Sequence, residues 1–315
     1  MAQVSSGRSA LICGSVAYDT ILQFPDRFKS HILPDKIHIL NVSFLVPDMR
    51  REFGGCAANI AYSLKLLGDD ALPMATAGND FAPYREHLIS RGICVDHIKI
   101  VEGAFTAQAF ITTDLDDNQI TAFHPGAMQF AHLNHVADAG PKIKLGIVAP
   151  DGRQAMIEHA AQFAAARVPF IFDPGQGLPM FGAEELKTFI AQARWVALND
   201  YEWGLMQQKT GYTAATVMEQ VEALVVTLGA QGSVIYAKGR TLAVPCAKAR
   251  ALVDPTGCGD AYRAGLIHGL LRDLDWETTG RVASLMGAIK IESRGPQNHG
   301  FTMADFEQRY RESFG

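Results

Sequence analysis

Asp254-Pro255-Thr256-Gly257-Cys258-Gly259-Asp260-Ala261-Tyr262-Arg263-Ala264-Gly265 is the stretch that decides how this chain reads. A strand or loop gives way here to a helix beginning near Gly257. The first amides of a helix have no internal partners and carry the positive end of its dipole. Glycines at 257 and 259 let an anion approach the backbone closely, so Gly257, Cys258 and Gly259 predict an anion hole. Asp260, in the first turn, is placed to take a proton from an attacking hydroxyl. Those two provisions, charge stabilisation and an oriented nucleophile, are what phosphoryl transfer asks of a protein. A G-x-G pair alone reads equally well as a helix cap; the complete string is what points to chemistry. It is not a Walker A loop, since no G-x-x-x-x-G-K-[ST] occurs, and Tyr262 stands where a dinucleotide fingerprint has its third glycine.

Outward from that stretch the chain alternates between short apolar runs and helical ones. Ala10 to Val16, Leu72 to Ala77, Leu145 to Ala149, Val168 to Asp173, Trp195 to Leu198 and Ala223 to Leu228 read as buried strands. Helical segments separate them, the Ala-rich Arg153 to Ala166 being the plainest. This rhythm predicts an α/β fold with a mainly parallel sheet covered on both faces. Asp19, Asp173 and Asp254 fall where strands are expected to end, which is where ligands collect in such sheets. The segment after Asp19, through Phe53, reads as irregular, broken by Pro25, Pro34 and Pro47. Phe105 to Thr113 and Gln119 to His124 form a hairpin candidate around a polar turn at 114–118.

Several motifs resemble, in order, those of the ribokinase (PfkB) family of kinases. The C-terminal string is similar to its D-T-x-G-A-G-D signature. Gly14 to Asp19 and Gly54-Gly55-Cys56-Ala57-Ala58-Asn59 resemble its N-terminal motifs. Asn199 to Glu202 is similar to its N-x-x-E, and Thr227 to Gly232 to its T-x-G-x-x-G. The resemblance spans nearly the whole chain. It implies one ribokinase-like three-layer α/β/α sandwich over residues 1–315, with a small β-sheet lid from about 20–53 and 104–126. Lid closure would exclude water and guard ATP. The resemblance makes Asp260 the base. Asp19, Gly54, Gly55 and Asn59 would hold the acceptor. Asn199 and Glu202 would organise magnesium and phosphate, Glu202 indirectly. Thr227, Gly229 and Gly232 would contact ATP, and Asp254 and Thr256 would bind a potassium-like cation.

Departures from the family pattern bear on the substrate. Cys56 and Ala17 stand where ribokinases carry polar sugar contacts, and a less polar pocket suits an acceptor with a base attached. Phe110 and Phe123 on the hairpin are candidates to stack on that base, or simply to pack the lid. The expectation is transfer of the ATP γ-phosphoryl group to the 5′-hydroxyl of a nucleoside, adenosine first. A kinase for fructose or ribose and a catalytically silent sugar- or nucleoside-binding protein are the alternatives. Cys258 replaces a usual alanine, and its thiol is expected to make the site sensitive to oxidation. Arg263 reads either as a phosphate contact or as a surface or internally paired side chain, and Asp173 either as lining the ATP-phosphate or magnesium zone or as a turn.

Bulk properties narrow the classes further. The 315 residues are 48% hydrophobic and 19% charged, with formal net charge -5 and no long basic run, which argues against nucleic acid as a partner. The five cysteines show no zinc-ligand spacing and read as reduced thiols. No apolar run is long enough to span a bilayer, so a cytoplasmic protein, monomer or homodimer, is expected.

Overall fold

The computed structural model describes residues 9–32, 38–39, 41–116 and 118–315. The N-terminal residues before Ser9, Pro34 and Asp117 of the hairpin turn lie outside that set. Among the described residues, thirteen strands form two sheets. They are β1 (Ser9–Cys13), β2 (Ala17–Gln23), β3 (Asp48–Gly54), β4 (Asp70–Ala77), β5 (Ile98–Ile100), β6 (Ala107–Thr113), β7 (Gln119–His124), β8 (Ile143–Val148), β9 (Phe170–Phe172), β10 (Trp195–Asn199), β11 (Ala223–Thr227), β12 (Ser233–Ala237) and β13 (Arg240–Val244). The large sheet runs β13-β12-β11-β10-β9-β8-β1-β4-β5 and the small one β3-β2-β6-β7. From β11 to β5 the large sheet is parallel; β12 and β13 are added antiparallel.

Nine α-helices complete the described chain: α1 (Cys56–Leu66), α2 (Ala82–Ser90), α3 (Arg153–Ala165), α4 (Ala183–Gln192), α5 (Asp200–Thr210), α6 (Ala214–Met218), α7 (Cys258–Leu271), α8 (Trp276–Lys290) and α9 (Met303–Phe314). The period-2 alternation of β1 divides the core. Ala10 and Ile12 face a cluster with Ile60 and Leu64 of α1, Leu88 of α2 and Leu266 of α7. Leu11 and Cys13 face the other, with Met156 and Phe163 of α3, Phe189 of α4 and Met206 of α5. Each such side chain taken fully from water contributes about 1.5–3 kcal/mol, so both sheet faces must be covered, as the apolar runs require. Helices α7 and α8 approach closely because Gly265 leaves no room for a Cβ beside the backbone of Ala283.

Two expectations change here. The first strand stops at Cys13 rather than Val16; Gly14 to Val16 carry the chain across to the small sheet, where β2 starts at once. Asp19 therefore sits inside a lid strand, not at the end of a core strand. The stretch through Phe53 is also not irregular throughout: β2 and β3 pair antiparallel from Ala17↔Gly54 to Gln23↔Asp48. Asp254 likewise follows a coil segment, since β13 ends at Val244.

The chain order within the large sheet reverses between β8 and β1, and open α/β sheets bind ligands at such a switch point, outside the carboxyl ends of the strands. Gly14, Asp151, Asp173 and Asn199 all follow or close strands at that edge.

Candidate functional site

Helix α7 begins where its sequence demands. Gly257 is the N-cap with φ +82°, a left-handed conformation that suits glycine. A Cβ there would also stand 2.6 Å from the Pro296 side chain. The Cys258 amide is already engaged, donating to the Pro255 carbonyl at 3.1 Å. Among the described residues, the amides of Gly259 and Asp260 have no protein acceptor, and the space where a Gly259 Cβ would lie is open. The free donors of this helix start are thus those around Gly259, and Cys258 contributes a part-buried thiol instead of a free amide. Burial pushes that thiol up to about 11, so it holds little thiolate and the expected oxidant sensitivity loses its basis.

Asp260 is held from several sides. Asn59 of α1 donates its Nδ2 to Oδ2 of Asp260 at 2.8 Å. The Asn59 amide is oriented by its Oδ1, which accepts from Nε2 of Gln297 at 2.9 Å. Gln297 also bonds the Tyr84 hydroxyl, which in turn donates to the Gly54 carbonyl at 2.7 Å. A relay of side chains therefore joins the acid on α7 to the last residue of lid strand β3. Burial raises the Asp260 carboxyl to about 7, with Asp173 adding to it and Asn59, Arg263 and Cys56 opposing.

Behind Asp260 lies a buried ion pair. Arg263 donates through Nε and NH2 to both oxygens of Asp173, at 3.0 and 3.1 Å. Arg263 and Asp173 are thus paired with each other, while NH1 of Arg263 has no hydrogen-bond partner among the described residues. Glu202 stands within electrostatic reach of both, and burial raises its carboxyl, with Asp173 adding to the rise. Asn199 and Glu202 form a capping box on α5: Asn199 Oδ1 accepts from the Glu202 amide at 2.8 Å, and Glu202 Oε2 from the Asn199 amide at 2.9 Å.

Thr227 closes β11, and Gly229 to Gln231 make one tight turn before β12. Gly232, φ +88°, leaves no room for a Cβ against the Val244 carbonyl. Ser233 bonds the Tyr262 hydroxyl of α7 at 2.6 Å, which ties this turn to the same helix.

On the lid, Glu52, Asp19, Ala109 and Phe123 form one row across β3, β2, β6 and β7. Phe110 pairs with Thr20 and Ala122 instead, so it projects from the opposite face. The two aromatics cannot both lie on the face that carries Asp19, and Phe110 drops out as a stacking candidate on this face. Burial lifts Asp19 to about 6, with Asp254 and Glu52 adding like charge. Gly55 packs its backbone against Ser15 to Ala17, a Cβ there being 2.6 Å from the Ala17 nitrogen; this clamps the two crossings between sheet and lid. Glu52 also accepts from Asn298 Nδ2 at 3.0 Å.

The expected monovalent-cation position holds something else. Oδ1 of Asp254 accepts from the Thr256 amide and Oδ2 from the Gly295 amide, both at 2.9 Å. The Asp254 carbonyl accepts from Lys290 Nζ at 2.7 Å, and Ser293 O from the same ammonium at 3.1 Å. Asp254 and Thr256 thus shape a loop around a protein cation. Lys290 was invisible as a site residue because it ends an apolar helix; Gln297 and Tyr84 were missed too. His299, near Gln297 in this loop, faces Ser63 and is held down to about 4 by burial. Among the described residues there is no cluster of three or more metal-ligating side chains, and no helix is long and apolar enough to cross a membrane.

Comparison with known proteins supplies the rest. The pfkB family carbohydrate kinase model matches residues 29–301. The solved nucleoside kinase of Burkholderia thailandensis in complex with inosine is 49% identical, with TM-score 0.88 over 97% of this chain and 98% of that one. The same enzyme in complex with ADP-inosine is 50% identical, with TM-score 0.86 over 97% and 96%. A nucleoside kinase of Methanocaldococcus jannaschii is 32% identical over 271 residues, 82% of this chain and 85% of its own length.

Proposed function

The chain belongs to the pfkB carbohydrate kinase family, and from that premise we propose that it transfers the γ-phosphoryl group of ATP to the 5′-hydroxyl of a purine nucleoside. The observation that carries the mechanism is the placement of Asp260. Its carboxyl lies in the first turn of α7, beside amides without protein acceptors, and burial brings it to about 7, where a general base works best at neutral pH. The acceptor hydroxyl gives its proton to Asp260 as its oxygen bonds to the γ-phosphorus. The bond from that phosphorus to the β-γ bridging oxygen breaks, and ADP leaves with the electron pair. The amides around Gly259 hold the charge on the transferring group.

Asp19 supports a second role. It sits on the row of lid residues that also carries Phe123, so one strand layer offers a carboxylate to ribose hydroxyls and a ring to the base. Cys56 and Ala17 leave the sugar end less polar than in ribokinases, and the inosine held by the Burkholderia relative favours a nucleoside over a free sugar. Adenosine and inosine are the first acceptors to try. The Thr227 to Gly232 turn, tied to α7 through Ser233 and Tyr262, is the proposed ATP wall. Glu202 fits a water-mediated magnesium ligand, because one of its oxygens caps α5 while the other has no protein hydrogen bond among the described residues. Magnesium would neutralise phosphate charge there.

A coupled ADP-release assay with adenosine, inosine, other nucleosides, ribose and fructose tests the proposal. Turnover on a purine nucleoside that Asp260→Asn abolishes is the expected result. Turnover on a free sugar alone would overturn the acceptor, and an active Asp260→Asn would overturn the base.

A further inference from the structure

We infer that Lys290 is a built-in monovalent cation for the loop that begins α7, so that the enzyme works without potassium. The inference rests on the kinase reading above.

The side chain is unusual for a lysine. It ends α8, yet the residue has no exposure to solvent. A buried ammonium must find oxygen partners or lose its charge. Lys290 finds the carbonyls of Asp254 and Ser293, at 2.7 and 3.1 Å. It also lies at the negative end of the α8 dipole. Burial lowers its proton affinity, while Asp254, Cys258 and Glu52 act against that loss. His299 also faces the same charge.

The two carbonyls belong to two different loops. One precedes Gly257; the other follows α8. The Asp254 carboxylate binds the same pair of loops through the Thr256 and Gly295 amides. The Val253 and Asp254 amides both reach the Ile291 carbonyl, at 2.9 and 3.1 Å. The ammonium is the positive charge at the centre of this lock. Its Cε stands 3.8 Å from where a Gly257 Cβ would be, directly under the helix start that offers amides to phosphate.

Carbonyl oxygens gathered from two loops beside a carboxylate are what a desolvated alkali ion would use, and Asp254 and Thr256 are where the family resemblance puts one. Here those oxygens already face a tethered ammonium, and a free potassium ion does not fit beside it. Lys290 acts through the loop, as a positioning residue, and does not touch the reacting atoms.

The test uses the full chain with magnesium and the Tris salt of ATP, in tetramethylammonium chloride or in potassium chloride. Wild-type turnover and melting temperature are expected to be the same in both salts. Lys290→Met is expected to lose about tenfold or more in kcat in tetramethylammonium, the scale of a weakened anion hole. Potassium or ammonium should restore both its rate and its melting temperature, a rescue that lost packing alone would not show. A wild type activated or stabilised by potassium overturns the inference. So does a folded Lys290→Met that is fully active without potassium, or one that no small cation rescues. If Lys290→Met folds only with potassium, the inference stands; if it folds in neither salt, the wild-type melting comparison decides. Absence of turnover in every salt would count against the kinase reading, and the two melting curves would still judge Lys290.

Discussion

Replacing Asn59 by leucine removes the one side-chain amide among the described residues that donates to Asp260. A hydrogen bond to a charged group contributes about 1.5–3 kcal/mol. The bond favours the carboxylate over the acid, so at about 1.4 kcal/mol per unit its loss raises the Asp260 pKa by about one to two units. The buried leucine pushes the same way by desolvation. The starting value is about 7. The acid limb of kcat/KM should therefore move from near 7 to about 8–9. At pH 7 the ionised fraction would fall from about one half to about 1–10%, a loss of about 5- to 50-fold beyond any loss in binding. A pH profile of kcat/KM measures this directly, because the limb position does not depend on how much affinity Asn59 also provides. Raising the pH to 9 should recover most of the pH-dependent loss. Asp19→Asn is the control, since that carboxyl titrates lower, at about 6, and its loss should leave the limb near 7. An Asn59→Leu limb still at 7, with a loss that is the same at every pH, would refute the claim that Asn59 tunes the base.

Two other outcomes are expected. Asp151 is buried, has one oxygen without a partner among the described residues and is raised by burial to about 8. In the unfolded chain it titrates near 4, so the folded state binds the extra proton between those values and stability falls as pH rises through that window. Asp151→Asn should melt like the wild type near pH 4 and increasingly above it toward pH 9; parallel melting curves at all pH values would show that the carboxyl never ionises or is never buried. Phe123→Ala should raise KM for nucleosides by about fivefold or more, the scale of one lost stacking contact, whereas Phe110→Ala, on the opposite lid face, should leave KM unchanged; equal effects of the two would contradict the strand register.

How much was legible in sequence depended on whether a residue's partners were local. Strand β7 and helix α7 could be placed almost to the residue, because alternation and a glycine-rich start are signals within one segment. The residue pattern alone did not give strands β2 and β3, although the family resemblance put a β-sheet lid over about 20–53, because their pairing runs through polar residues such as Asp19, Arg51 and Glu52, which spoil the apolar pattern. Their stability comes from a neighbour some distance along the chain. The same reason hid Gln297: its meaning lies in Asn59, 238 positions earlier. Lys290 was lost inside an apolar helix, where its stem matches the pattern and only its ammonium departs from it. Phe110 and Phe123 looked equivalent until the register separated their faces.

The long reach of the side-chain relay also sets the order in which the enzyme can come into being. Strand β2 pairs with β6, Ala17 opposite Ala107, and Asn59 waits for Gln297. Such distant contacts cost loop-closure entropy before they return anything, and they form late. The core cluster under Leu11 and Cys13 draws its buried residues from Leu11 to Val226, all made before α7, whereas the one around Ala10 and Ile12 takes in Leu266 of α7. A chain growing from its N-terminus can build much of its scaffold early, yet the Asn59 amide stays free to rotate until Gln297 has been made. Assembly of the scaffold and onset of activity are thus separate events in the life of one molecule, and the second comes last.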